Sequence, residues 1–365
     1  MEKGYRFRIY PNKKQQVILA KTFGCKRYVY NYFLERKITL YKEEGKSLSF
    51  NACSKELTAL RKEFDWLSEI DRSALQNTLK DLDTAFNRFY KEKGGFPKFK
   101  KKKTNYRSYR TSKFYNNIKF LGKKIKLPKL GLVNCKGYKN IDGRILNVTI
   151  SQVPSGKYYA SICVTDVEPF TFEKSGEKIG IDMGIKDFCI TSNGIKYENP
   201  KYLEQSLEKL AKLQRELSRK TKGSSNWEKA RVKLAKLYEH IANQRADYLH
   251  KLSHKLIKEN DVICCENLKV KNMTQNHNLA RSISDASWTQ FTNQLEYKAC
   301  WYDKKIIKID TFFASSQLCS KCGYKHEDVK NLAVREWVCP SCNAKHNRDI
   351  NAALNILNEG VKQMA

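Results

Sequence analysis

Apolar and polar residues alternate from the start of the chain, with Tyr5, Phe7 and Ile9 set against Arg6, Arg8 and Tyr10. That two-residue period predicts a half-buried strand, stopped by Pro11. The period then lengthens. Steps of three and four predict helices over about 13–23 and 25–43, broken at Gly24, and a longer helical stretch over about 51–92. The last carries the stripe Leu75, Leu79, Leu82, Phe86 and Phe89 and ends at "GGFP". From about 117 to 172, short alternating runs are divided by Gly, Pro and Asn turns, "VPSGKYY" among them. This predicts a small antiparallel barrel or sandwich, completed by the N-terminal strand.

After "VEPFTFEKSGEK" a new domain is predicted. "KIGIDMG" reads as a short buried strand and "DFCITSNGIKYE" as its antiparallel partner, turning at Asn193-Gly194. A helical hairpin follows, with Leu203, Leu207, Leu210, Leu213 and Leu217 going out, a turn at "KGSSN", and Leu234, Leu237, Ile241, Leu249, Leu252 and Leu256 coming back. These stripes are read as core packing. "DVICCENL" is a further buried strand, "SWTQFTNQLEYKACWYDKK" a helix, "KIIKIDTFF" a strand, and "RDINAALNILNEG" a final helix after a cysteine-rich module.

Charge adds a partner class. Lys and Arg number 70 against 38 Asp and Glu, a net charge of +32. Such an excess repels itself in a compact fold and is usually offset by a polyanion. Nucleic acid leads, with an acidic membrane surface second. No apolar run is long enough to span a bilayer, and the start has no signal-peptide pattern. Residues 91–110 carry nine Lys or Arg against one Glu, interleaved with Phe96, Phe99, Tyr106 and Tyr109. The bland account is a solvated, self-repelling loop. The functional one is a phosphate-binding loop with stacking rings, using Lys98, Lys100, Lys101, Lys102, Lys103, Arg107 and Arg110. Gln76 and Lys80, on the preceding helix, are further candidates for facing DNA.

Four of the twelve cysteines carry specific chemistry. Cys319-x-x-Cys322 and Cys339-x-x-Cys342, sixteen residues apart, match a zinc-ribbon template. Four thiolates fill a tetrahedral shell, so the expected Zn²⁺ is structural, and His326 and His346 are left outside it. Trp337 and the basic residue before it, in "VREWVC", suggest a finger facing nucleic acid. The other eight cysteines are scattered, several within apolar strands, which fits a reducing cytosol.

Three carboxylates form the second constellation. Asp182 interrupts an apolar strand, which is costly without compensation, and flanking Gly180 and Gly184 would admit a ligand or a nucleic-acid backbone. Glu266 ends "VICCE", and Asp349 begins the last helix. Each alone has an ordinary account: a turn residue, a strand end, a charge suited to a helix N-terminus. Their order (strand-Asp, antiparallel strand, insertion, strand-Glu, helix, strand, insertion, helix-Asp) is that of an RNase H-like nuclease. Clustered carboxylates repel, and two Mg²⁺ would relieve this and suit phosphodiester hydrolysis. Arg348 would hold the scissile strand.

At these residues the chain resembles the TnpB family, the OrfB transposases of insertion sequences, related to Fanzor proteins and compact type V CRISPR effectors. The stretches that carry the resemblance are "YRFRIYPN", "GGFPKFKKKK", "GIDMGIKDF", "RADYLHKLSHKLIKENDVICCENL", "SSQLCSKCG" and "RDINAALNI". It implies an α+β multidomain protein. A helical, helix-turn-helix-like recognition domain (11–114) joins a wedge-type β-barrel (1–10 plus 115–172). A RuvC-like nuclease domain (173–313 plus 345–365) carries an inserted zinc ribbon (314–344). It further implies an RNA-guided DNA endonuclease. A guide RNA from the transposon end and double-stranded target DNA are its partners, in a bacterial or archaeal cytoplasm at the nucleoid. The family's carboxylates fall on Asp182, Glu266 and Asp349, and its zinc ligands on the four cysteines. Two departures are small: Asn347 stands where many relatives have Asp, and Ala314 where Pro is common. Alternatives are an RNA-guided DNA-binding protein without cleavage, a strand-transferring transposase, and a non-catalytic zinc-ribbon RNA-binding protein.

Overall fold

The computed structural model describes residues 1–102, 107–137, 141–331 and 333–364. Lys103 and Tyr106 of the basic run lie outside the described residues. The chain divides into two compact units, Met1–Glu168 and Pro169–Ala365. Among the described residues, no helix is long and apolar enough to cross a membrane.

The first unit runs β1 (Lys3–Tyr10), α1 (Lys13–Glu44), α2 (Phe50–Glu63), α3 (Asp65–Ser68), α4 (Arg72–Lys91), then β2 (Arg107–Ser112), β3 (Lys119–Leu121), β4 (Lys124–Leu127), β5 (Gly131–Lys136), β6 (Arg144–Gln152) and β7 (Tyr158–Thr165). The strands form one open antiparallel half-barrel sheet, ordered β2-β6-β7-β1-β5-β4-β3. The N-terminal strand sits inside it, between β7 and β5.

Three expectations change here. First, α1 is continuous from Lys13 to Glu44, so Gly24 is no break. The apolar pattern shifts at Gly24 because the helix changes partners. Leu19 and Phe23 pack into the sheet's core, whereas Cys25, Val29, Tyr30, Phe33 and Leu34 join α2 and α4 in a separate helical core. Packing on both sides outweighs the ~1 kcal/mol that a mid-helix glycine costs. A capping box starts the helix, with Asn12 accepting from the Gln15 N–H and Gln15 answering to the Asn12 N–H. Second, the 51–92 stretch is three helices. Phe64 is extended, and Asp71 caps α4 by accepting from the Ser73 N–H. Third, the chain re-enters the sheet at Arg107, inside the segment assigned to the helical domain, where β2 pairs along its length with β6.

The second unit holds β8 (Lys178–Met183), β9 (Asp187–Thr191), β10 (Lys196–Glu198), α5 (Leu207–Ser218), α6 (Ser225–Glu259), β11 (Val262–Glu266), α7 (Val270–Met273), α8 (Ala280–Ala286), α9 (Trp288–Tyr302), β12 (Lys305–Ile309), β13 (Glu336–Val338), β14 (Lys345–Asn347) and α10 (Arg348–Lys362). Its main sheet is ordered β10-β9-β8-β11-β12. The first three strands are antiparallel, and β8, β11 and β12 are parallel.

Both faces of this sheet are covered, which explains why "VICC" is apolar without alternation. Ile263 and Cys265 face a core shared with α6 and α9, as do Ile179, Ile181 and Met183 of β8. Val262 and Cys264 face α10, packed with Ile356. Leu210 and Leu213 of α5 pack with Leu234, Leu237 and Ile241 of α6, and α6 carries Leu249, Leu252 and Leu256 on into the sheet's core.

Candidate metal centres

Strand parity aims two of the carboxylates. On β8 the odd residues face α6 and α9, so Gly180 and Asp182 face α10. On β11 the same alternation turns Glu266 toward α10. Register places them side by side, since Cys265 is paired with Ile181 and the next residues along the parallel strands are Glu266 and Asp182. Helix α10 crosses this face and begins at Arg348-Asp349, with Asn347 capping it through the Ile350 N–H.

Two glycines let the helix lie against the strands. A Cβ on Gly180 would fall well inside van der Waals contact distance of the Ala353 carbonyl oxygen and 2.8 Å from the Leu357 nitrogen. A Cβ on Gly360 would strike Cys264. The expectation that the glycines beside Asp182 admit a ligand is therefore corrected. Gly180 admits the backbone of α10, and Gly184 lies against the Asp187 carbonyl, where the chain turns into β9.

The electrostatics report the convergence. Burial pushes the Asp182 carboxyl up to about 7, and the charges of Glu266 and Asp349 push the same way, with Arg348 opposing. Burial raises Glu266 as well, countered by a hydrogen bond from the Ser315 hydroxyl to Oε1 at 2.7 Å. Arg335 Nη1 lies 3.4 Å from both oxygens of Asp349. Sequence pattern marks neither Ser315 nor Arg335 as a partner of the carboxylates. One is a serine among several in "ASSQLCS", and the other is the basic residue expected to face nucleic acid. That finger reading is corrected for its aromatic: Arg335 stays exposed beside Asp349, but Trp337 is buried against His346 and His326 at ring-centroid separations of 4.6 and 5.5 Å.

Arg348 is also placed differently from expectation. Only 7% exposed, it donates through Nη1 to the Asn331 carbonyl at 3.0 Å, so it braces a loop between the cysteine pairs instead of presenting its guanidinium to a strand.

The four cysteine sulfurs lie within 4.8 Å of one another. Cys319–Cys342 and Cys322–Cys339 are each 3.6 Å apart, close to the roughly 3.8 Å edge of a tetrahedron with Zn–S bonds of ~2.3 Å. The two knuckles repeat one hydrogen-bond pattern. Gly323 N–H donates to the Cys319 carbonyl and Cys319 N–H to Tyr324; Asn343 N–H donates to Cys339 and Cys339 N–H to Ala344. Gly323 and Asn343 take the same left-handed turn, with φ of 78° and 54°. The Tyr324 backbone N–H pushes the Cys322 thiol down, while hydrogen bonds among the thiols push Cys342 up. The His346 Nε2 sits 3.0 Å from Cys319 Sγ, beside the shell.

The basic candidates belong to the first unit. Asn31 pins the strap 98–102 to α1, donating to the Lys100 carbonyl at 3.0 Å and accepting its N–H at 2.8 Å. The Lys100 ammonium lies 3.8 Å from the Tyr30 ring centroid. Lys100, Lys101, Lys102 and Arg107 line a cavity of about 510 Å³ together with Lys26 and Arg27 of α1, which sequence reasoning missed because they fall in an ordinary helical pattern. Lys98 and Lys80 are exposed. Arg110 reaches Asp81 at 3.4 Å, Arg107 reaches Gln152 at 3.0 Å, and Gln76 is tied to Ser54 at 3.0 Å.

Comparisons with known proteins agree with this architecture. A family profile described as "Probable transposase" (OrfB, IS605 type) matches residues 161–277. One described as "Cas12f1-like, TNB domain" matches 288–356, and one described as "Helix-turn-helix domain" matches 1–46. A Streptomyces pristinaespiralis protein named "Putative RNA-guided DNA endonuclease" is 36% identical, over 100% of this chain and 91% of its own length. The chain belongs to the TnpB family of OrfB transposases. Another relative, Escherichia coli K12 "Putative RNA-guided DNA endonuclease InsQ", is 30% identical over 98% of this chain and 92% of its own length. At the level of fold, this TnpB chain is similar to Cas12f1 in a complex with single guide RNA and target DNA, with a TM-score of 0.64, 13% identity, and 98% and 99% of the two chains covered.

Proposed function

We propose that this TnpB-family chain is an RNA-guided DNA endonuclease that hydrolyses phosphodiester bonds at Asp182, Glu266 and Asp349. One observation carries the reading: two adjacent parallel strands and a crossing helix carry the three carboxylates on one face of the sheet, and Asp182, pushed up to about 7 by its burial first, is raised further by the charges of Glu266 and Asp349. The sheet order, with two parallel strands joining an antiparallel three, supports a RuvC-like, RNase H-like assignment. Relatives named for RNA-guided cleavage of DNA support the guide and the substrate class.

The donor set fits magnesium, because carboxylate oxygens suit a hard divalent cation and a repelling acidic cluster is stabilised by one. When bound, two Mg²⁺ would supply an activated water and stabilise the departing 3′-oxygen. The chain's own residues supply the geometry. Asp182 and Glu266 stand on strands held by pairing on both sides, Asp349 is aimed by the cap of α10, and Arg335 neutralises part of its charge. We assign the four cysteines to structural Zn²⁺. The basic set Lys98, Lys100, Lys101, Lys102, Arg107 and Arg110 is assigned to the backbone of the nucleic acid, with a guide derived from the transposon end. Residues 107–112 move to the wedge; the other domain boundaries stay as the family resemblance implies.

The test is cleavage of double-stranded DNA by the purified chain with its co-purified RNA. Mg²⁺-dependent cutting only where RNA and target match, lost in Asp182→Ala, is expected. Cutting that survives Asp182→Ala overturns the assignment of the centre. Strand joining without RNA favours transposase chemistry instead.

A further inference from the structure

We propose that Ser315 is a positioning residue for Glu266, holding one carboxylate oxygen so that the other is presented to a cation. The proposal rests on the reading of Glu266 as a metal ligand. Ser315 is 6% exposed, and its hydroxyl lies 2.7 Å from Glu266 Oε1. An ionised carboxylate only accepts, so the proton on this bond belongs to the serine. Glu266 is the last residue of β11, paired with Ile309 of β12, and Ser315 gives its side chain an anchor of its own. Hydrogen bonds to the outer face of a metal-binding carboxylate fix its orientation in this way.

A hydroxyl can position a partner only if its own backbone is fixed, and this one is. Asn355 Nδ2 donates to the Ser315 carbonyl at 2.8 Å and to the Leu318 carbonyl at 2.6 Å. Asn351, one turn earlier on α10, donates to the same Leu318 carbonyl at 2.7 Å and accepts the Ser320 N–H at 3.0 Å. Both asparagines are almost wholly buried. The helix that carries Asp349 in its first turn thus also sets Glu266, through its two asparagines and Ser315. Cys319 lies inside the fastened stretch 315–320, so a zinc ligand and the anchor of a carboxylate share six residues of chain.

The experiment titrates Mg²⁺ into the full, zinc-loaded chain and follows the melting temperature, with cleavage as a parallel readout. Ser315→Ala is expected to raise the Mg²⁺ concentration for half-maximal stabilisation about tenfold, with zinc content unchanged. The cleavage defect should be recovered by added Mg²⁺, with the KM for DNA unchanged. Ser315→Thr, which keeps the hydroxyl, should stay close to wild type. Should Ser315→Ala fail to fold, Ser315→Cys, a weak donor of similar size, supplies the comparison. An unchanged Mg²⁺ requirement in the variant, or equal damage in Ser315→Thr, overturns the proposal. If Glu266→Gln abolishes the wild-type Mg²⁺ response while Ser315→Ala leaves it intact, only the positioning role fails. If the wild type shows no Mg²⁺ response, the ligand reading falls and the proposal with it.

Discussion

Replacing Asp182 by Asn should stabilise the metal-free protein, and the gain should grow with pH. The carboxyl is pushed from 3.8 up to about 7, by burial first and then by Glu266 and Asp349. An acid with a raised folded pKa keeps its proton in the folded chain after the unfolded chain has released it. Its stability contribution is therefore complete below about pH 4 and is lost as pH rises through about 7. A gap of about three pKa units corresponds to about 4 kcal/mol. Asp182 keeps some contact with solvent, so about half of that, ~2 kcal/mol, is expected at pH 8, and under ~1 kcal/mol at pH 5. In a unit of this size ~2 kcal/mol corresponds to roughly 4–8 °C in melting temperature. The assay is thermal unfolding of wild type and Asp182→Asn, zinc-loaded and free of Mg²⁺, at pH 5 and pH 8, then with Mg²⁺ added. Mg²⁺ should raise the wild-type melting temperature more than the variant's. An equal gain at both pH values, or equal Mg²⁺ shifts, would refute a repelling carboxylate cluster at this place.

Three further outcomes are expected. Gly180→Ala should cost at least ~1–3 kcal/mol in urea unfolding, the scale of overpacking a close approach, because the methyl meets the backbone of α10; a neutral result would deny that approach. Cys339→Ala should lower zinc content, measured by metal analysis, to near zero and expose residues 315–347 to proteolysis; full zinc retention would sink the four-thiolate shell. Reversing charge at Lys100, Lys101 and Lys102 together should weaken nucleic-acid binding and flatten its salt dependence by roughly one log unit of slope for each phosphate no longer neutralised; an unchanged slope would return the strap to a solvated surface.

The cysteine cluster was legible because two Cys-x-x-Cys pairs have few alternative explanations. The carboxylates, each with an ordinary account alone, were singled out only by their order along the chain. What was hidden depended on partners distant along the chain. Gly24 looked like a break because the faces of α1 switch from one core to another, which a periodicity cannot distinguish from a turn. Gly180 looked like room for a ligand, since nothing in "GIDMG" reveals that a helix more than 160 residues later presses on it. Trp337 looked exposed because a three-residue strand carries too little pattern to show which side is covered. Ser315 could be found only once Glu266 and α10 were in place around it.

Adjacent Cys264 and Cys265 point to opposite faces of the same sheet, one beneath Gly360 of α10 and the other toward α6 and α9. They therefore form a native pair of chemical reporters. A thiol reagent reaches Cys264 only when the last helix lifts away, and Cys265 only when the opposite layer opens. The ratio of their labelling rates separates release of the helix bearing Asp349 from loosening of the scaffold, without an introduced probe.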